Sequence, residues 1–161
     1  MNSLKQHKSL LTLIERKLAI MKVSDILRSK GSQVFSVTEN ITVYEALKIM
    51  GEKNVGALLV MENDSLKGII SERDYARKIV LKGKSSNETK VKEIMTEKVI
   101  TVLPEDDLEK CMGLMSGRKI RHLPVMKDDK VLGVISITDV VTAIIEVQKN
   151  TITHLQNYIS Q

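Results

Sequence analysis

Aromatic residues are scarce in this chain: one Phe, three Tyr and no Trp among 161 residues. A core must therefore be aliphatic, built from Ile, Val, Leu and Met. A stacking platform for single-stranded nucleic acid is not expected either, because it needs several exposed rings. Cysteine is limited to Cys111. One thiol excludes an intrachain disulfide and suits a reducing compartment, so a cytoplasmic location is expected. No apolar run approaches the roughly 20 residues that cross a bilayer, and no membrane span is expected. The three histidines, His7, His122 and His154, lack the spacing of a ligand set, so no metal is expected. There is no phosphate-binding P-loop, dinucleotide-binding glycine fingerprint or nucleophile elbow. With no base–nucleophile pair in view, the chain is not expected to be an enzyme.

What is present is ordinary globular chemistry: 42% hydrophobic and 28% charged residues, with 25 basic against 20 acidic side chains and a net charge of +5. The signs are mixed along the chain, which supports solubility. No basic stripe emerges, so nucleic acid is not an expected partner. In residues 1–20, Lys5, Lys8, Arg16 and Lys17 surround Leu10, Leu11, Leu13, Ile14 and Leu18. That pattern predicts an amphipathic helix packed on the domain. It lacks a small-residue cleavage site, so a signal peptide is not expected.

From Met21 the chain writes one unit twice. Residues 23–27 suggest a helical turn and 34–37 a short strand. Thr42-Val43-Tyr44-Glu45 is a capping-box pattern. Val43, Ala46, Leu47 and Met50 then recur on one helical face, and Gly51 weakens the helix near its end. Residues 56–61 form a continuous apolar run, read as a buried strand. Turn chemistry at 62–65 leads to a strand over 66–70, antiparallel because the connection is short. Residues 71–82 predict a helix, with Gly83 as its C-cap. Residues 84–90 are polar and read as a linker. Residues 91–95 then echo 23–27 at an offset of 68. Residues 99–102 echo 34–37, and 120–126 match 55–61, at an offset of 65. Leu108, Cys111, Met112 and Met115 repeat the apolar helical face, which makes Cys111 a small core residue. Asp106 and Asp107 sit near that helix's positive end. The last helix runs past Ile145 and carries Ile152, Leu155 and Ile159 along one face, as a lid or a dimer contact. The boundaries are therefore a helix over 1–20, repeats over 21–83 and 91–147, a linker over 84–90 and an extension over 148–161.

The sharpest repeated stretch is Gly68-Ile69-Ile70-Ser71-Glu72-Arg73-Asp74, matched by Gly133-Val134-Ile135-Ser136-Ile137-Thr138-Asp139. Taken locally, each is a helix N-cap: the serine accepts from a free backbone N–H and the carboxylate reaches back. The same groups can also bind a ligand. A carboxylate accepts strong hydrogen bonds from neighbouring hydroxyls, and unused N–H groups at a helix start attract phosphate.

This duplicated unit and its paired glycine–apolar–x–serine–x–x–aspartate signatures resemble the cystathionine-β-synthase (CBS) domain family over most of the chain. Arg121-His122-Leu123-Pro124-Val125 resembles that family's strand leading into its pocket. The resemblance implies an α/β (α+β) fold of two β-α-β-β-α repeats packed as one pseudo-two-fold module, often paired as a homodimer. It implies clefts that take adenine-containing ligands: AMP, ADP, ATP, NAD-type dinucleotides or S-adenosylmethionine. By this likeness Asp74 and Asp139 hold ribose hydroxyls, helped by Ser71 and Ser136. Ser36 and Thr101, on matching first strands, lie by the adenine. Gly56 and Ala57 permit close approach of a flat ring, Arg73 and either Arg121 or His122 stand where phosphate contact is possible, and Thr138 holds the position equivalent to Arg73. Pro124 lacks an N–H, so the strand ladder should break there; Leu59 holds the matching place in the first copy. Two functions remain open from sequence: an adenine-nucleotide sensor that signals to a separate protein, and an interaction or dimerisation module whose clefts stay empty.

Overall fold

The Leu59 N–H donates to the Phe35 carbonyl at 3.2 Å, and that bond starts the central sheet. The structure is a computed structural model that describes residues 2–159; the side chains of 2–10, Leu155, Tyr158 and Ile159 are not described. The expected apolar roles of Leu10, Leu155 and Ile159 thus lie outside the described residues. The elements are α1 (Asn2–Ile20), α2 (Val23–Lys30), β1 (Ser36–Val37), α3 (Val43–Lys53), β2 (Ala57–Glu62), β3 (Ser65–Ser71), α4 (Glu72–Lys78), α5 (Leu108–Arg118), β4 (His122–Lys127), β5 (Lys130–Ser136) and α6 (Ile137–Ile159). Short 3₁₀ turns stand at Val80–Lys82 and Val91–Glu93. Mixed helices and small sheets make this an α+β chain.

The chain divides into two compact units. One comprises Gln33–Thr101 and Met126–Gly133. Its sheet runs β1-β2-β3, with β1 parallel and β3 antiparallel to β2. Asn63 and Asp64 take positive φ values of 48° and 63°, which closes the β2–β3 turn with short polar residues that tolerate the left-handed region. Helix α3 starts as its sequence dictates: Thr42 Oγ1 accepts from the Glu45 N–H, and the Thr42 N–H donates back to Glu45 Oε2 at 2.7 Å. Its buried face, Val43, Ala46 and Met50, meets Leu58, Val60 and Ile70 in one aliphatic core. The polar stretch read as a linker is anchored. Val43 N–H donates to the Thr89 carbonyl and Tyr44 N–H to that of Ser86, and Thr89 is buried.

The other unit comprises residues up to Ser32, Val102–Val125 and residues from Val134 on. Here α6 packs on α1, α2 and α5. Its buried face is Val140, Ala143, Val147 and Thr151, spaced by three and four as a helix requires. Thr151 satisfies its hydroxyl on the Val147 carbonyl at 2.8 Å. Helix α1 contacts α5 and α6 of this unit, and among its described side chains Leu11 and Ile20 stay 58% and 71% exposed.

Each unit takes its leading segment from the other repeat. Val23 and Ser24 donate backbone N–H groups to the carbonyls of Asp106 and Pro104. Val91 and Lys92 donate to those of Ile41 and Glu39. Val91 and Ile94 join the first repeat's core, and Val23 and Ile26 are buried in the unit holding α5 and α6.

Several expected elements come out differently. The first strand covers only Ser36–Val37, and its counterpart is no strand but a single bridge, Val102 beside Val125. Pro124 explains the difference: it stands where Leu59 donates, and has no N–H to give. The turn at 23–27 extends to Lys30, whereas its echo is only a 3₁₀ turn over Val91–Glu93. The helix after Ser71 ends at Lys78 and re-forms as a 3₁₀ turn that Gly83 closes at φ 62°. Helix α3 runs on past Gly51 to Lys53 and is capped by Asn54 in the left-handed region.

Candidate functional site

Both signatures fold as strand-to-helix junctions, and both are helix caps. Ser71 is extended (φ −130°, ψ 161°) and its Oγ accepts from the Asp74 N–H at 3.3 Å. Asp74 Oδ2 accepts from the Ser71 N–H and hydroxyl at 3.0 and 2.8 Å. In the second copy, Asp139 Oδ2 accepts from the Ser136 N–H at 2.7 Å and its hydroxyl at 2.9 Å. The serine oxygen again receives the aspartate N–H, at 3.2 Å.

The first N–H of each helix is also committed. Glu72 donates to the Gly56 carbonyl at 3.1 Å and Ile137 to the Arg121 carbonyl at 2.9 Å. The helix starts therefore offer fewer donors to a phosphate than their sequence suggests, because the strand and the cap already take two at each.

The signature glycine has a packing role in the first copy. A Cβ on Gly68 would stand 2.8 Å from Met95 Sδ and 3.1 Å from the Thr96 carbonyl. Its absence lets residue 69 pair with Thr96 through two backbone bonds, at 2.9 and 3.0 Å. The equivalent carbonyl in the second copy, Val134, accepts instead from Lys30 Nζ at 2.9 Å.

Two lysines that local reasoning passed over complete these sites. Lys78 Nζ is 2.8 Å from Asp74 Oδ1 and also donates to the Ile94 carbonyl. Its i,i+4 spacing from Asp74 was a usable signal. Lys30 Nζ is 2.6 Å from Asp139 Oδ2 across 109 residues of sequence, and no local pattern announces it. Among the described residues, the bonds from Lys30 Nζ, the Ser136 N–H and the Ser136 hydroxyl to the Asp139 carboxylate all fall on Oδ2 rather than Oδ1. Burial pushes the Asp139 carboxyl up, but the Lys30 ammonium and the two Ser136 donors outweigh it and leave the pKa below the ordinary value. Burial also lowers His122; Asp139 opposes that, and Lys30 and Arg121 reinforce it. A neutral imidazole thus stands near an ionised carboxylate.

The remaining sequence candidates separate into those near a signature and those apart from it. Ala57 pairs directly with Ser71, and Gly56 supplies the carbonyl at the helix start. Ser36 is exposed on β1, with β2 between it and β3. Arg73 is half-buried, whereas Thr138 and Arg121 are exposed. Pro124 is buried in β4, and Thr101 is half-buried just before the bridge at Val102. A hollow of about 100 Å³ opens beside Asp139, lined by Lys30, Asp25, Ile26, Thr142 and Glu146 among others. It is smaller than the roughly 300 Å³ of a small-molecule pocket, so it can hold part of a ligand only. Among the described residues no cluster of His, Cys, Asp and Glu could hold a metal, and no helix is long and apolar enough to cross a membrane.

Comparison with known proteins agrees with the repeat. A family model described as CBS domain matches residues 23–81 and 91–146. The CBS domain-containing protein CBSX3, mitochondrial, of Arabidopsis thaliana is 46% identical over 147 residues, covering 85% of this chain and 71% of that protein. A solved protein with CBS domains from Burkholderia ambifaria MC40-6 is 47% identical with a TM-score of 0.77, over 78% of this chain and 95% of its own. The CBS domain pair of protein MJ0100, solved with 5′-methylthioadenosine and S-adenosyl-L-methionine, is 28% identical with a TM-score of 0.68, over 77% of this chain and 95% of its own.

Proposed function

The chain belongs to the CBS domain family, and from that premise we propose that it is a regulatory module, not a catalyst, that binds an adenosine-containing ligand at Asp139. The observation that carries this reading is the carboxylate itself. Asp139 is ionised, held rigid by its serine cap, and keeps Oδ1 clear of all three bonds that fix it. A fixed carboxylate with one oxygen outside those three bonds suits the hydroxyls of a ribose, since charge-assisted hydrogen bonds are the stronger kind. The adenosine compounds bound to the MJ0100 pair support the ligand class.

By their place in the repeat, Ser136, Thr138, Arg121, His122, Pro124 and Thr101 are the further residues we assign to this proposed site. The matching residues of the first copy, Ser71, Asp74, Arg73, Ala57, Gly56 and Ser36, make a second and weaker candidate, because Lys78 and Ser71 engage both Asp74 oxygens. We place the output in a separate regulated protein, the module itself acting as a homodimer in a reducing compartment such as the cytoplasm. Ligand can drive such an output only by binding two arrangements of the module with different affinity.

Calorimetry with AMP, ATP, NAD(H) and S-adenosylmethionine tests the proposal. Binding of one of them should weaken by about 1.5–3 kcal/mol in Asp139→Ala, the scale for a hydrogen bond to a charged group. Wild-type protein that takes up none of the four removes the nucleotide reading. It would favour a pure interaction module instead, a reading supported by the small hollow and by exposed Val141, Ile145 and Ile152 on α6.

A further inference from the structure

We propose that Lys30 sets the specificity of the Asp139 site: it occupies the carboxylate until a ligand arrives that carries its own negative charge. This rests on the reading of Asp139 as a hydroxyl-binding carboxylate. Lys30 ends α2, and its Nζ bridges Asp139 Oδ2 at 2.6 Å and the Val134 carbonyl at 2.9 Å. Its side chain is 35% exposed, so the ammonium can leave without disturbing the core. Gly31 follows at φ 91°, a conformation that side-chain-bearing residues rarely adopt.

The competition follows from the geometry of one oxygen. Oδ2 already accepts from the Ser136 N–H, the Ser136 hydroxyl and Lys30. A ligand with two neighbouring hydroxyls can place one on Oδ1, but the second must take the position the ammonium holds on Oδ2. Displacement costs Lys30 its counter-charge, and a neutral nucleoside brings no replacement. A phosphorylated ligand does, so the exchange conserves a charge-assisted contact.

The nearby acids are poor substitutes. Asp25 is already paired with Arg28 and with the Lys22 N–H, and Glu146 is exposed, where an ion pair is weak. Arg121 is exposed and His122 is held towards neutrality, so Lys30 is the cation in direct contact with Asp139. The first copy is built otherwise. Lys78 projects from the same helix as Asp74, bonds Oδ1 and is tied to the Ile94 carbonyl.

Titration calorimetry with adenosine and AMP, on wild type and on Lys30→Met, tests the inference. Wild type should prefer AMP by about tenfold or more, a little over one kcal/mol. In Lys30→Met that preference should fall to within about threefold, with adenosine bound more tightly than by wild type, because the ammonium no longer competes for the carboxylate. Lys30→Gln, uncharged but still able to donate to Val134, should behave like Lys30→Met, and Lys30→Arg should keep the preference. If wild type binds AMP and Lys30→Met keeps the full preference, the role of Lys30 is overturned while the nucleotide reading stands. If neither protein binds either compound, the role of Lys30 is overturned, and the nucleotide reading then falls only if ATP, NAD(H) and S-adenosylmethionine also fail to bind.

Discussion

Asp74 and Asp139 stand at the same place in two copies of one unit, yet each is held by a lysine of different origin. Lys78 reaches Asp74 from one turn along the same helix. Lys30 reaches Asp139 from α2, a segment that belongs in sequence to the other repeat. The first arrangement is local and engages both carboxylate oxygens; the second is long-range and leaves Oδ1 outside its three bonds. Duplication therefore preserved the cap and diverged in what covers it. The strands behind the two signatures diverge in parallel, with Leu59 and Ala57 in one and Pro124 and His122 in the other.

The largest test exchanges the residue that separates the two strands. Leu59→Pro removes the N–H bonded to Phe35 and places a ring inside a buried strand. It should cost about 3 kcal/mol or more, read as a lower midpoint in urea. Pro124→Leu restores a donor where the second copy has none and should be far milder; equal losses from both would break the comparison.

Gly68→Ala comes next. The added methyl meets Met95 Sδ and the Thr96 carbonyl, and the carbonyl is backbone that cannot swing away. A loss of about 1–3 kcal/mol is expected, the usual range for overpacking. Thermal melting of this variant that matches wild type would show that the junction with residue 96 is looser than the contacts imply.

Ser71→Ala and Ser136→Ala each remove a cap and should each lower stability by about 1 kcal/mol. The comparison sharpens if the losses differ. Ser136→Ala leaves Asp139 with its long-range partner Lys30, which also ties α2 to Val134. Ser71→Ala leaves Asp74 with Lys78 on the same helix.

The smallest effect is a pH dependence near neutrality at His122 of the second copy. His122 has its pKa lowered from the ordinary 6.5, chiefly by burial. The unfolded chain then binds the proton more readily than the folded one, so the contribution to stability is present above about pH 6.5 and is lost as pH falls through that value. His122→Asn should flatten the fall in melting temperature between about pH 7 and pH 5. Ala57, at the matching position, has nothing to titrate. Asp139, also lowered, adds a separate loss only as the pH drops below its ordinary 3.8.

Much of this architecture could be read from local chemistry. The Thr42–Glu45 box, the Asn63–Asp64 turn, the antiparallel β2–β3 pair and the apolar face of α5 with buried Cys111 all follow from side chains within a few residues of one another. The serine–aspartate caps were legible for the same reason, and so was the ladder lost at Pro124. The sequence by itself determined the two copies and their caps, since hydrophobic period and capping act over one or two helical turns. Only the tertiary structure decided which copy each leading segment covers. Residues 23–26 and 91–94 carry the same apolar pattern, and either could fill either groove by hydrophobicity alone, which has no direction. Backbone hydrogen bonds to Asp106 and Pro104, and to Ile41 and Glu39, settle the exchange. That exchange brings Lys30 to Asp139, a charge pairing that no spacing along the chain could announce.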